Sequence, residues 1–251
     1  MKTVFITGGT TGIGLELAKY YLNQGWRVGV CGRDPQKFEV SFNPKPDHLE
    51  FYHVDVANRD ELKKAVNSFS KLFGLDLMIA NAGIGYKNKT KWPDFDMSYR
   101  MVHVNLLGVM YSAEASLEIM RGQGRGHLAI ISSIAGYNGL PGVSAYSATK
   151  AAVLKFAESL HLDMKSFGID VTAICPGFVD TPLTQQNHHP MPFLMPAPKA
   201  ARLIARAIEK KKMIYAFPFF FSSIVRILSV IPRTWYKKMM TLKMANYSKE
   251  K

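Results

Sequence analysis

Tyr146 and Lys150 stand four residues apart in Tyr-Ser-Ala-Thr-Lys, inside a stretch patterned as a helix, with Ser132 and Ser133 upstream. On a helix, residues i and i+4 project from one face, so the phenol and the ammonium enter a single site. A free tyrosine has a pKa of about 10, and exchanging a proton near neutrality requires lowering it by roughly three units, about 4 kcal/mol. One cation at about 4 Å in a surface-like dielectric supplies about that much. The spacing therefore predicts that Lys150 lowers the Tyr146 pKa and that Tyr146 is general acid or base while a carbonyl is reduced or an alcohol oxidised. Charge developing on the substrate oxygen also needs a hydrogen-bond donor, for which Ser133 and its neighbour Ser132 are candidates.

A hydride carrier needs a phosphate cradle, and Thr7-Gly8-Gly9-Thr10-Thr11-Gly12-Ile13-Gly14 supplies one where an apolar strand meets the helix expected over Ile13 to Asn23. Glycines let the backbone turn tightly and approach a pyrophosphate, whose charge meets the unpaired N–H groups and dipole of the helix start. Asn105 lies inside a helix-like segment, Ser98 to Met120. An asparagine amide competes for backbone groups there, so either a functional use or a polar helix surface explains it. His103, His127, His161, His188 and His189 have no spacing that adds to this chemistry. No Cys/His metal spacing occurs, and no metal is required, since the cofactor carries the hydride.

The elements that must position these residues follow from hydrophobic patterning. Short apolar runs alternate with helix-period segments, the pattern of repeated βα units around a parallel sheet. Strands are expected at Lys2 to Thr7, Arg27 to Cys31, Leu49 to Val54, Leu75 to Ala80, His127 to Ile131, Asp170 to Ile174 and Met213 to Phe217. They make a Rossmann-type, doubly wound, seven-stranded α/β sheet of order 3-2-1-4-5-6-7, with the ligand beyond the carboxyl ends of its strands. The motifs fall at those ends.

The 251 residues suit a single domain, taken as 1–218 with a substrate loop at 182–198, followed by a basic extension at 219–251. Cys31 and Cys175 sit in apolar contexts and read as free thiols in a reducing compartment, and the first strand has no signal-peptide character. A cytoplasmic enzyme is expected. Residues 199–251 carry thirteen Lys and Arg against Glu209 and Glu250, a net of +11 out of the formal +13. No nucleic-acid motif accompanies that charge, so contact with an anionic membrane surface or an acidic partner is the better reading. Phe219 to Ile231 is apolar apart from Arg226. As a helix it would be about 20 Å long, short of a bilayer core of about 30 Å. Phe220, Ile224, Ile227, Leu228 and Ile231 can share one face, with Arg233, Lys237, Lys238 and Lys243 following. Either that face packs on the domain or on a second copy, or it is an interfacial membrane anchor.

Taken together, Thr-Gly-Gly-Thr-Thr-Gly-Ile-Gly, His-Val-Asp-Val at 53–56, Asn-Ala-Gly at 81–83, Val-Asn at 104–105, Ser-Ser-Ile-Ala-Gly at 132–136, Tyr146 with Lys150, and Cys-Pro-Gly-Phe-Val-Asp-Thr at 175–181 resemble the short-chain dehydrogenase/reductase family. The resemblance covers residues 1 to about 215. It implies that Ser133, not Ser132, meets the substrate oxygen, that Lys150 also binds the nicotinamide ribose, and that Asn105 holds a water in a proton relay beside Lys150. It further implies a cofactor site of Gly8, Thr10, Thr11, Gly12, Ile13 and Gly14 at the phosphates, Asp55 and Val56 flanking the adenine, and Asn81, Ala82 and Gly83 on the ribose side. Pro176, Gly177, Val179 and Thr181 would hold the nicotinamide, beside Tyr146 and Lys150. The position usually acidic in NAD-preferring relatives is Gly32, and Arg33 follows it. Arginine can pair with a 2′-phosphate, so NADP(H) is favoured, with NAD(H) possible. Asp55 and Asn81 also have structural readings, as a turn cap and a tie between strands.

The implied activity is hydride transfer between NADP(H) and a carbonyl or alcohol, with a homo-oligomer as the expected assembly. Met191, Phe193, Leu194 and Met195 would give the substrate loop an apolar wall and so a lipophilic substrate. Two other functions fit the same fold: a catalytically silent cofactor sensor or scaffold, against which Tyr146 and Lys150 argue, and a membrane-peripheral lipid-modifying reductase.

Overall fold

The computed structural model describes residues 1–85, 92–186 and 190–241. His188, His189 and Lys243 lie outside the described residues. In chain order the elements are β1 (Thr3–Thr7), α1 (Gly12–Asn23), β2 (Arg27–Gly32), α2 (Pro35–Ser41), β3 (Leu49–His53), α3 (Arg59–Phe73), β4 (Leu77–Ala80), α4 (Phe95–Met101), a π-helical turn (Val102–Leu107) and α5 (Gly108–Gln123). Then come β5 (Gly126–Ile131), α6 (Ser144–Asp163), β6 (Ile169–Pro176), β7 (Val179–Asp180), β8 (Met195–Pro196), α7 (Ala197–Glu209), β9 (Ile214–Phe217), α8 (Phe219–Val230) and α9 (Arg233–Thr241).

Seven parallel strands form one sheet in the order β3-β2-β1-β4-β5-β6-β9, which is the expected doubly wound topology. Its central strands carry continuous apolar runs, Val4–Ile6, Leu77–Ala80 and Leu128–Ile131, because both faces are covered by helices. Side chains alternate between the two cores. Phe5, Met78, Leu128, Ile130 and Val171 enter the layer beneath α3, α5 and α6. Val4, Ile6, Ile79, Ala129 and Ile174 enter the layer beneath α1 and α7. Helix α3 shows the local logic: the Asn58 side chain accepts from the Glu61 N–H, Asp60 and Glu61 face the helix start, and Leu62, Ala65, Val66 and Phe69 make the buried stripe. Cys31 and Cys175 are free and buried.

Three local features differ from expectation. The fourth strand begins at Leu77, because the Gln123 side chain occupies the Leu75 peptide on both sides, accepting from its N–H at 3.0 Å and donating to its carbonyl at 2.8 Å. The helix expected over Ser98 to Met120 is interrupted by the π turn that contains Asn105. The segment around the substrate loop is closed at its base by a small parallel pairing of Val179 with Met195 and Asp180 with Pro196.

Strand order reverses between β2 and β4 on either side of β1, and there the chain leaves a crevice. Asn81 bridges it: its Nδ2 donates to the carbonyls of Thr7 at 2.9 Å and Gly8 at 3.2 Å. The Asn81 and Ala82 N–H groups both donate to Thr7 Oγ1, at 3.0 and 3.1 Å.

Candidate active site

A cavity of about 600 Å³ opens over the carboxyl ends of the strands. One wall is the glycine turn. Gly8 and Gly12 take left-handed φ angles of 66° and 56°. A Cβ on Gly14 would lie 2.2 Å from the Gly8 carbonyl oxygen, so only glycine lets the helix start fold this close onto the turn. Thr11 precedes α1 and its side chain caps nothing, which leaves the first-turn N–H groups facing the cavity through Gly12 and Ile13. Such donors suit an anionic pyrophosphate. Thr10 is buried beside Gly32, and Thr181 packs against Gly12 from the opposite wall. The residues present therefore fit a dinucleotide.

At the end of β2, Arg33 lines the cavity with Asp55, and its guanidinium lies 3.8 Å from the Asp55 carboxylate. Both side chains are about half exposed, and such a pair is worth at most about 1 kcal/mol, so a multiply charged phosphate can displace it. Asp55 also accepts from the Ala57 N–H at 3.0 Å, the turn-cap role. Asp34 caps α2, accepting from the Gln36 and Lys37 N–H groups at 3.1 and 3.2 Å, and those bonds hold its carboxyl below the usual carboxylate range. The cap sets Lys37 into the first turn of α2 on the cavity wall, a second cation that the sequence reading missed. The Asp-Pro pair signals a helix start but not which of its side chains faces the cavity. Val56, Ala82, Gly83, Ile84 and Val104 continue the wall, as does Arg100, one helical turn before Val104 and also missed.

The reacting end gathers Ser133, Tyr146 and Lys150 with Pro176, Gly177 and Val179. Ser132 and Ser133 divide their tasks. Ser132 is turned inward and donates to the Lys150 carbonyl at 2.7 Å, whereas Ser133 donates to the Pro176 carbonyl at 3.4 Å, accepts from the Ala135 N–H at 3.1 Å, and stands near enough to the Tyr146 phenol to pull its pKa down against the larger effect of burial. Lys150 is only 4% exposed, and its Nζ donates to the Ile131 carbonyl at 2.9 Å. Burial pulls its pKa down to about 8.

The expected depression of the Tyr146 pKa is corrected here. Desolvation raises it, the Ser133 hydrogen bond only partly opposes that, and the Lys150 ammonium lies 5.8 Å from the ring centroid while bonded to Ile131. The helical spacing brought the two side chains together as anticipated, but it did not anticipate that both would leave water. Burial disfavours each charged form, and the cation faces the ring. Behind them, burial pushes the Cys175 thiol up to about 11, which leaves it protonated and not nucleophilic at neutral pH.

Asn105 is fully buried, so the polar-surface alternative falls away. Its Oδ1 accepts from the Ile84 N–H at 2.8 Å, and its Nδ2 donates to the Ile84 carbonyl at 2.8 Å and to Thr149 Oγ1 at 3.3 Å. The side chain thus fastens the β4 loop to α6, and a Cβ on Gly83 would meet Asn105 Oδ1 at 3.4 Å and Lys150 Nζ at 3.5 Å. These bonds use both amide protons and one lone pair of Oδ1, which leaves a second lone pair able to accept a further hydrogen bond.

The apolar wall assigned to Met191, Phe193, Leu194 and Met195 is also corrected, because none of them lines the cavity. The β7–β8 pairing turns Met195 into the α1/α7 core and leaves Phe193 and Leu194 exposed beside α8. Pro182, Leu183 and Thr184 face the cavity instead. Of the histidines, His127 bonds Thr172 and burial holds its pKa down at about 4, while His161 bonds the Val171 carbonyl. Among the described residues no acidic, histidine and cysteine side chains gather as a metal site.

A family model described as short chain dehydrogenase matches residues 2–191. An uncharacterized oxidoreductase of Myxococcus xanthus is 34% identical over 235 residues, spanning 92% of this chain and 93% of its own. An uncharacterized oxidoreductase of Staphylococcus aureus strain USA300 is 34% identical over 185 residues, 73% of this chain and 80% of its own. Among solved structures, ElxO with NADP bound superposes with a TM-score of 0.78 at 25% identity, covering 86% of this chain and 96% of the other. The crystal structure of gox2181 has a TM-score of 0.78 at 23% identity over 86% of this chain and 93% of its own, a likeness of fold.

Proposed function

The chain belongs to the short-chain dehydrogenase family, a family of oxidoreductases, and on that premise we propose that it is an NADP(H)-dependent enzyme interconverting a carbonyl and an alcohol. The observation that supports this most is the meeting of Tyr146, Ser133 and Lys150 at one end of a cavity whose other end is the glycine cradle. The preference for NADP(H) is supported by Arg33 and Lys37 at the end of β2, where no carboxylate replaces Gly32, and by the NADP bound to ElxO.

When bound, the nicotinamide supplies or takes the hydride. In the proposed mechanism Ser133 donates a hydrogen bond to the substrate oxygen and sets it beside the Tyr146 hydroxyl. Tyr146 gives that oxygen its proton in reduction and takes it back in oxidation. Burial keeps the hydroxyl protonated at neutral pH, the form that donates the proton in reduction. Lys150, anchored by Ile131, carries positive charge next to the site below pH about 8, and in the proposed mechanism it would hold the ribose of the bound cofactor. Asn105 keeps the β4 loop and α6 in register around these groups. A modest lipophilic substrate is supported by Ile84, Pro182 and Leu183 on the cavity wall. A homo-oligomer is supported by exposed Phe95, Tyr99 and Met110 along α4 and α5.

The test is oxidation of NADPH, with NADH in parallel, by purified protein across ketones and aldehydes of graded size. Turnover that prefers NADPH and disappears in Tyr146→Phe is expected. Cofactor binding with no turnover of any carbonyl or alcohol would return the protein to the sensor or scaffold reading.

A further inference from the structure

Helix α8 packs on the domain with the face opposite to the one its hydrophobicity would choose. Ser222 is buried, and Phe221 and Val225 lean on the core. Asn138 Nδ2 donates to the Val225 carbonyl at 2.8 Å, and Tyr236 on α9 donates to the Gly139 carbonyl at 2.6 Å, so both helices are fastened to the loop before α6. The strongly apolar residues point away. Phe219 is 83% exposed, Phe220 66%, Ile224 40%, Ile227 61% and Val230 80%. At about 100° per residue these five fall within an arc of about 140°. Phe193 of the substrate loop extends the surface: at a left-handed φ of 59° it lies against Phe220 and Phe221, with centroids 6.3 and 5.8 Å away. Leu228 and Ile231, expected on the apolar face, are half-buried at its edge.

Charge says what covers this face. Between Glu209 and Glu250 the chain has no acidic residue. Arg226, Arg233, Lys237 and Lys238 are exposed around the apolar stripe, and Trp235 and Met239, four apart on α9, add an aromatic and a thioether to the exposed side. A second copy seated there would bring two like-charged sets together, at an unfavourable Coulomb cost. A surface of negative charge over hydrocarbon complements both features. Among the described residues no helix is long and apolar enough to cross a membrane, so an attached helix would lie in the interface.

We propose that the outward face of α8, with Phe193, is the docking surface by which this protein sits on an anionic lipid bilayer, its substrate loop turned toward the lipid. The apolar residues enter the headgroup boundary, the cations hold it electrostatically, and attachment is reversible and salt-sensitive. It stands independently of the catalytic assignment.

Co-sedimentation of the full chain with phosphatidylcholine vesicles, with and without phosphatidylglycerol, tests it. Binding is expected only to the phosphatidylglycerol vesicles, and at about 1 M salt, where the Debye length is about 3 Å, it should fall by at least about tenfold. The double variant Phe219→Glu/Ile227→Glu should lose binding while keeping the wild-type melting temperature, because neither side chain makes a packing contact that the fold needs. Should it misfold, Lys237→Glu/Lys238→Glu on the exposed side of α9 must weaken binding instead. Three results would overturn the proposal: intact protein left in the supernatant with anionic vesicles at low salt, a folded glutamate variant that still binds, or self-association in the ultracentrifuge that the glutamate variant abolishes, which would give the face to a second copy.

Discussion

Replacing Lys150 by methionine separates what this lysine does for the reaction from what it costs the fold. Lys150 is 4% exposed, and burial moves the pKa of its ammonium from 10.5 to about 8. A basic group with a depressed folded pKa carries a penalty that is fully present below that pKa. The penalty is relieved as pH rises toward the unfolded value, because only the unfolded chain then still holds the proton. The difference between 10.5 and about 8 corresponds to about 3 kcal/mol, most of which is recovered between pH 7 and pH 10. Wild type should therefore gain about 2–3 kcal/mol on the Lys150→Met variant over that range, whatever the offset between them at pH 7. For a chain of this size that is about 5–10 °C in the difference of melting temperatures. Groups that titrate in both proteins cancel in that difference. Thermal melts of the two proteins across the interval provide the assay, with turnover followed alongside and expected to be lost in the variant at every pH. A melting-temperature difference that stays flat from pH 7 to pH 10 would show that Lys150 is not a buried cation with a lowered pKa, and the account of the site's electrostatics would fail with it.

Tyr146→Phe should reduce kcat by about 10²–10⁴ while leaving NADPH affinity near wild type, measured by steady-state kinetics and fluorescence titration, since only the ionisable hydroxyl is removed. Arg33→Ala should weaken NADPH by about 10- to 150-fold and NADH far less, the worth of one charge-assisted hydrogen bond to phosphate; equal losses for the two cofactors would remove the phosphate role. Asn105→Ala should destabilise the protein by about 1–3 kcal/mol in urea melts, because it leaves the part-buried Ile84 N–H and carbonyl without their partner.

Much of this molecule was legible in one dimension because the signals were local. A helical spacing of four set Tyr146 and Lys150 on one face, alternation of apolar runs and helix periods set the strand order, and the Gly8 to Gly14 turn needed no knowledge of distant residues. Lys37 and Arg100 escaped because a charge on a helix carries no mark of what it faces until the helix is docked.

What only the tertiary structure decided was the environment of those residues. Spacing placed the Lys150 ammonium near the Tyr146 phenol, but the depth of both in the domain set the direction of their pKa values, since desolvation depends on every element packed around them. Spacing marked Asn105 as odd in a helix, and the π turn with its Ile84 partners turned that oddity into a clamp 21 residues away in sequence. The apolar stretch 219–231 was readable as a helix with an apolar stripe. Which side of it faced outward depended on Asn138, Gly139 and Phe178, residues that lie near it only after the sheet has formed. Local propensity and pattern act within a few residues, whereas burial and partner choice are properties of the whole packed chain.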